Sequence, residues 1–337
     1  MVISFRSLLR TAAVATVAWM ALAALPAQAY SRLYVFGDSL SDSGNNALAT
    51  PLRTAAADIA SNTFVPTFPY LSGTYSNGPV WAQQFASALG LAAAPSLAGG
   101  TNLAFGGAET GRAGTAPGGF PPSLNSQVSL ALGALGSVIA ADALVVYEGG
   151  GNNARRTLGL LAAASDAASF AAIVGAAAAE YAADVQLGVD ALQAAGARNI
   201  VVWNTPNVGL TPALLSAGAS ASFVATTLSG AMNGALAATL ASETGVSIFD
   251  VFGLLGAVAQ NPAGYGLSNA AEACGTGAAS CATALFYDGI HPTIAGHALL
   301  AGAMLNTVTA VPEPSTYGLM LLGLLVCAGV ARCRAAR

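Results

Sequence analysis

The chain has 337 residues, 55% of them hydrophobic and only 8% charged, which excludes intrinsic disorder. All 11 basic residues are arginine, and the lack of lysine excludes a P-loop nucleotide hydrolase, a Schiff-base enzyme and a Ser-Lys hydrolase. His291 and His297 are the only histidines, so a three-histidine metal site is excluded too. Much of the apolar count is alanine, so the composition alone does not make this a membrane protein.

Arg6 and Arg10 precede an apolar run over 11–25 that ends in Pro26-Ala27-Gln28-Ala29. This is the pattern of a secretory signal peptide over 1–29, with the mature chain beginning near Tyr30; a signal anchor or a buried first helix is the alternative. From Tyr30 to Val311 there are six arginines against fourteen acids, a net charge near −8. An acidic surface without lysine argues against nucleic acid as a partner.

Short β-rich runs then alternate with long alanine-rich ones. Segments 33–36, 143–147, 199–203 and 246–251 read as buried parallel strands, with 102–105 a candidate fifth. Helices are expected over 80–89, near 126–135, and over 168–195, 220–243 and 293–307. Such alternation implies a parallel sheet covered by helices on both faces. Glu180, Asp184 and Asp190 interrupt 168–195 too often for a membrane span. No repeat or linker divides the region, so a single domain over 30–311 is expected.

The first strand runs into Gly37-Asp38-Ser39-Leu40, which places Ser39 at a carboxyl end, where open parallel sheets bind ligands. A helix starting after Ser39 would aim its amides at a developing anion. Taken alone, a serine after a strand is more often a helix cap than a catalyst. Cys274 and Cys281 lie seven apart in a Gly/Ala/Ser-rich loop, and in an exported chain they read as a disulfide; a metal pair would lack further cysteine ligands. Asp288 precedes His291 by three residues, a spacing that lets the carboxylate hold one imidazole nitrogen while the other faces a serine. His297 falls inside the last helix, as a structural or solvated side chain.

Beyond Val311, Pro312-Glu313-Pro314 precedes an apolar stretch over 317–331 and the arginines 332, 334 and 337. This order resembles the PEP-CTERM sorting signal of Gram-negative bacteria, over about the last 26 residues. The resemblance implies a tail, 312–337, with a short transmembrane helix. It would be cut by an exosortase, leaving the protein at the cell surface or outside, with possible association to an exopolysaccharide matrix. An ordinary C-terminal anchor is the alternative.

Four ordered blocks, Gly37-Asp38-Ser39-Leu40, 101–108 (TNLAFGGA), Gly149-Gly150-Gly151-Asn152-Asn153 and Asp288-Gly289-Ile290-His291, resemble those of the GDSL-type, or SGNH, serine hydrolases. Segments 73–81 and 204–212 resemble its lipase/esterase branch. The resemblance spans about 33–305. It implies a three-layer α/β/α, flavodoxin-like SGNH-hydrolase fold with a central parallel sheet. It further implies Ser39 as nucleophile, His291 as general base and acid, and Asp288 as its orienter. The oxyanion hole would combine the Ser39 amide, the Gly107 amide and the Asn152 side chain, with Gly106 as an alternative to Gly107. No metal or organic cofactor is implied. Asn153 stands where the family pattern has aspartate, so the loop holding Asn152 is expected to be tuned differently. A GxSxG elbow is absent, which argues against an α/β-hydrolase. The expected activity is exported hydrolysis of lipid or short-chain acyl esters through an acyl-enzyme on Ser39. The alternatives are an O-acetyl esterase acting on exopolysaccharide and a non-catalytic surface protein on the same fold. Arg155 and Arg156 read as solvated surface side chains or, alternatively, as contacts to a substrate headgroup.

Overall fold

Four short apolar runs pair side by side: β1 (Leu33–Phe36), β2 (Leu144–Tyr147), β3 (Asn199–Trp203) and β4 (Val246–Phe249), all parallel and in that spatial order. The computed structural model describes residues 30–309 except Ala278, and of the tail Gly323, Leu324, Val326 and Cys327. The expected signal peptide and the rest of the sorting tail lie outside the described residues. β1 and β2 are buried at every residue, which is why they read as unbroken apolar runs and not as alternating ones. β4 ends at Phe249, two residues earlier than expected, because Asp250 caps the following helix, accepting from the Gly253 amide at 2.8 Å.

The candidate fifth strand is reduced to one parallel bridge between Asn102 and Val35. Its backbone still follows β1, with the Leu103 amide donating to Val35 O at 2.7 Å and the Phe105 amide to Gly37 O at 3.1 Å. Counting this segment, the spatial order in chain numbering is 2-1-3-4-5, the flavodoxin-like order. The order reverses between β1 and β2, so a crevice is expected at their carboxyl ends.

Alternate side chains sort to the two faces. Leu33, Val35, Leu144 and Trp203 pack with α2 (Trp81–Ala88), α8 (Val251–Gln260) and α9 (Ile294–Thr309). Phe36, Val145, Tyr147 and Val202 pack with α3 (Leu124–Ala134), α4 (Gly151–Leu161), α5 (Ala167–Ala194) and α7 (Ala219–Leu240). Two short helices, α1 (Asn45–Ala49) and α6 (Pro212–Ser216), sit among the loops above the sheet's carboxyl edge. Trp203 stacks between Trp81 and Phe249 with ring centroids 4.4 and 4.6 Å apart, worth on the order of 1 kcal/mol per pair beyond area burial.

By length and composition α5 and α7 could each cross a membrane. Here they pack on each other and on the sheet, α5 through a stripe at three- and four-residue spacing (Tyr181, Val185, Val189, Leu192). α4 and α8 were not expected. α4 is polar on average and buries Asn153 and Thr157 beside Ala154 and Leu161, so it offers little apolar signal, and the apolar run of α8 is too short for periodicity to separate helix from strand. A second, two-stranded parallel sheet joins β5 (Asn269–Ala273) to β6 (Ala284–Phe286). The expected disulfide, Cys274–Cys281, closes the loop between them with S–S at 1.99 Å.

Candidate active site

The site assembles at the carboxyl ends of β1 and β2, and on the loop after β6. Gly37 follows β1, and a Cβ there would stand 2.7 Å from Glu148 Oε2, so only glycine lets the chain turn over that carboxyl group. The expected helix after Ser39 does not form. The Ser41 and Asp42 amides donate back to Asp38 O, the Leu40 amide donates to Asp38 Oδ1 at 2.9 Å, and the first helix, α1, begins only at Asn45. Asp42 uses the turn instead: its carboxylate accepts from the amides of Gly44, Asn45, Asn46 and Gly106, stapling the nucleophile turn to the 101–108 segment.

On the other side, the loop after β6 is folded on itself. Asp288 Oδ1 accepts from the Ile290 and His291 amides, both at 2.8 Å, and the Tyr287 amide donates to His291 O. Asp288 Oδ2 lies 2.7 Å from His291 Nδ1 and accepts from Tyr70 OH at 2.7 Å. A carboxylate can only accept, so the imidazole proton sits on Nδ1 and leaves Nε2 as an acceptor. That Nε2 is 2.8 Å from Ser39 Oγ, across 252 positions of sequence. The structure therefore brings Ser39, His291 and Asp288 into one hydrogen-bonded line. Tyr70, which orients Asp288 from a distant loop, had no signal in the sequence.

The expected anion-binding groups gather around Ser39. Gly106 cannot serve, because its amide already donates to Asp42 Oδ2 at 3.0 Å. Gly107 adopts φ +85°, a left-handed conformation that favours glycine, and among the described residues neither its amide nor that of Ser39 has an acceptor. Asn152 opens α4, and its Nδ2 donates to Asp38 Oδ2 at 3.1 Å and to Ala108 O at 3.0 Å. Its amide is thus anchored between the nucleophile turn and the Gly107 loop. Asn153 accounts for the departure from the family pattern. It accepts from the Thr110 amide and donates to Thr110 Oγ1, which in turn donates to Asp184 Oδ2 at 2.8 Å. An amide can give and take in this chain, and the carboxylate that completes it comes from α5.

Two buried carboxyl groups lie directly beneath Ser39. Glu148 Oε2 accepts from Ser41 Oγ at 2.8 Å and from the Asp38 amide at 3.2 Å. Burial, then the charge of Asp38, push Glu148 well above the usual carboxylate range, opposed by the Ser41 hydroxyl and the Asp38 amide. Burial also pushes Asp38 up to about 6, opposed by the Leu40 amide, by His291 and Arg155, and by Asn152. Glu148 ends the apolar run Val145-Val146-Tyr147, just before the third sequence block, and an acid at that place is the one sign of it in the sequence.

Ser39 sits where two clefts meet, and Asn152, Arg155 and His291 border both. One is a narrow cavity of about 60 Å³ walled by Val208, Leu214, Val251, Leu255, Phe286 and Leu300. The other is an open groove of about 530 Å³ on the Gly107 side, its walls supplied by the loops around 65–68 and 112–121. The two arginines part company. Arg156 is held by Glu109 at 2.7 Å and Glu180 at 2.9 Å, whereas Arg155 extends over the junction of the clefts.

Among curated proteins none matches the chain. Of solved structures, the lipase Lip_vut3 from a goat rumen metagenome is similar at 13% identity and a TM-score of 0.41, over 81% of this chain and 95% of that one; a likeness so distant carries no inference. Residues 310–335 match the PEP-CTERM protein-sorting motif, an export and sorting signal that implies processing by an exosortase. Residues 33–304, which hold every residue of the site just described, match the GDSL-like Lipase/Acylhydrolase family, and a match of that extent makes this chain a member of it.

Proposed function

We propose that the protein hydrolyses carboxylic esters through an acyl-enzyme on Ser39. The observation that carries this reading is the unbroken line from Ser39 Oγ to His291 Nε2, and from His291 Nδ1 to Asp288. His291 takes the Ser39 proton as Oγ bonds to the ester carbon, and the imidazolium is stabilised by Asp288. The carbonyl oxygen becomes an anion facing the free amides of Ser39 and Gly107, and Asn152 Nδ2 joins them as a third donor on exchanging its bond to Asp38 or Ala108 for one to the anion. When the tetrahedral adduct collapses, the bond to the alcohol oxygen breaks and His291 returns the proton to that oxygen. Water, deprotonated by the same histidine, then releases the acid and restores Ser39. Ionised Asp38 adds a second negative charge near the imidazolium.

The enzyme acts outside the cytoplasm. Residues 1–29 direct export, 30–311 form the mature hydrolase, and 312–337 anchor it transiently in the inner membrane until an exosortase cuts the tail.

Ser39→Ala and His291→Ala should each lower kcat at least about 10³-fold on a short-chain ester. The double variant should be no worse than either, because the two groups act as a unit. A fluorophosphonate probe should label the wild type and not Ser39→Ala. Full activity or full labelling in Ser39→Ala would refute the mechanism.

A further inference from the structure

The loop that runs from Tyr70 to Asn77 is tied to the His291 loop at several points. The Tyr70 hydroxyl donates to Asp288 Oδ2, Ser76 Oγ donates to Pro292 O at 2.8 Å, and Asn77 Oδ1 accepts from the Ile294 amide at 2.8 Å. Among these ties Tyr75 lays its ring against the His291 imidazole, with centroids 5.3 Å apart and planes inclined by 35°. We infer that Tyr70 and Tyr75 form a clamp of two opposed actions that sets how readily His291 takes the Ser39 proton. Tyr70 restrains the carboxylate behind the imidazole, and Tyr75 offers its electron-rich ring to the imidazolium. Both are positioning residues, and their role rests on the acyl-enzyme reading above.

The local chain builds this clamp. Gly73 takes φ +86°, its amide donates to Tyr70 O at 2.8 Å, and the Tyr70 amide donates to Thr74 O at 2.9 Å, so the chain doubles back between the two tyrosines. Both side chains are buried. The Tyr70 ring is held edge to face by Tyr287, and Tyr75 OH accepts from Asn46 Nδ2 at 2.7 Å. A Cβ on Gly106 would overlap the Tyr75 ring, which gives that glycine of the 101–108 block a steric purpose apart from the anion site.

The two rings act with opposite sign. Asp288 Oδ2 serves His291 Nδ1 and Tyr70 OH together, each at 2.7 Å. Burial, then the charge of Asp288 and the bond to it, push the Tyr70 phenol far above its ordinary value, so the hydroxyl keeps its proton and donates it to the carboxylate. A donor on that oxygen spreads its negative charge and weakens its hold on the imidazolium. Tyr75 acts on the imidazolium itself, since the negative face of a ring attracts a cation within about 6 Å of its centroid. As the Ser39 O–H bond breaks and the proton passes to Nε2, Tyr75 favours the charged ring. Tyr70 keeps the pairing with Asp288 loose enough for the proton to leave again with the alcohol oxygen. The other charged or titratable groups facing His291 are Asp38 from the nucleophile turn, Arg155 from α4 and His297 from α9, and none belongs to this loop.

The test is the pH dependence of kcat/KM for the mature protein on ethyl butyrate, with acid release followed by titration. Tyr70→Phe should move the acid limb of the profile up by at least about half a unit, because a carboxylate relieved of its second donor keeps His291 charged to higher pH. Tyr75→Leu should move the limb down by at least about 0.3 unit, because the imidazolium loses the ring. Tyr75→Phe keeps the ring, loses only the bond to Asn46, and should return the limb to the wild-type position. Circular dichroism checks that each variant is folded. Limbs that stay in place while rates fall, or that move the same way in both variants, would reveal a plain brace. That result overturns the clamp and leaves the acyl-enzyme standing, since the fluorophosphonate probe still labels Ser39. A folded wild type that takes no probe and cleaves no ester overturns both. Tyr70→Phe removes a single oxygen atom, so the direction of its limb decides the matter even if Tyr75→Leu fails to fold.

Discussion

His291 and His297 lie six positions apart and live in opposite environments. His291 is bonded on both ring nitrogens, whereas His297 is wholly buried in α9 and neither of its nitrogens has a partner among the described residues. Burial, with a smaller contribution from His291, pushes the His297 pKa down to about 3 from its ordinary 6.5. Between those values the unfolded chain binds a proton that the folded one refuses. The stability linked to His297 is therefore complete above about pH 6.5 and drains away as pH falls, by about 1.4 kcal/mol per unit. Asp38 and Asp42, both pushed up to about 6 by burial, work the other way: they favour the fold below about 3.8 and lose that contribution as pH rises toward 6. A comparison of variants isolates the histidine. In urea unfolding, wild type should lose about 2–3 kcal/mol more than His297→Leu on going from about pH 7 to about pH 4.5. Identical losses would show that His297 is not held neutral. At this scale the sequence could point to Ser39 and His291, because the motifs that carry the family resemblance are local. It could not decide whether His297 was solvated, because burial depends on what packs over α9.

Among the elements, the loop between β5 and β6 links an expected disulfide to the catalytic histidine. Cys274 is packed with Ile59, Tyr70 and Tyr287, and Tyr70 in turn donates to Asp288. Tyr70 and Tyr287 meet edge to face, with ring centroids 4.8 Å apart. Replacing both Cys274 and Cys281 by serine should cost about 2–3 kcal/mol of stability by freeing a short loop in the unfolded chain. It should also lower kcat several-fold while far-ultraviolet circular dichroism of the sheet and long helices is kept. A stable variant of unchanged kcat would show that the bridge does not brace Asp288. β1 and β2 were legible because parallel strands buried on both faces are apolar throughout. The turn after Ser39 forms where a helix start was expected: the Asp38 and Asp42 side chains compete for the same amides, and hydrogen bonding of that kind favours turns over helix.

At the scale of the whole molecule, the described fold closes with α9 at Thr309, before the sorting motif begins. A chain cut after Ala310 should therefore fold, be exported and hydrolyse a short-chain ester with kcat within about twofold of the full mature enzyme, yet escape retention and processing at the membrane. Cell fractionation and activity in the medium check this; retention of the truncated chain would move the anchor elsewhere. The sequence by itself determined the class of fold, the sorting tail and the order of the site blocks, and through the family resemblance it pointed to Ser39, Asp288 and His291. These are written in local patterns: strand runs, a Pro-Glu-Pro tail, ordered motifs, glycines beside strands. Only the tertiary structure decided that Gly107 and not Gly106 keeps a free amide, since the competitor, Asp42, arrives from 64 positions away. It alone set Tyr70 on Asp288, Asp184 behind Asn153, and Glu148 against Ser41 and the Asp38 amide. It alone made one side of Ser39 narrow and apolar and the other wide and of mixed character, because cleft walls are built from elements that meet only when the sheet is complete.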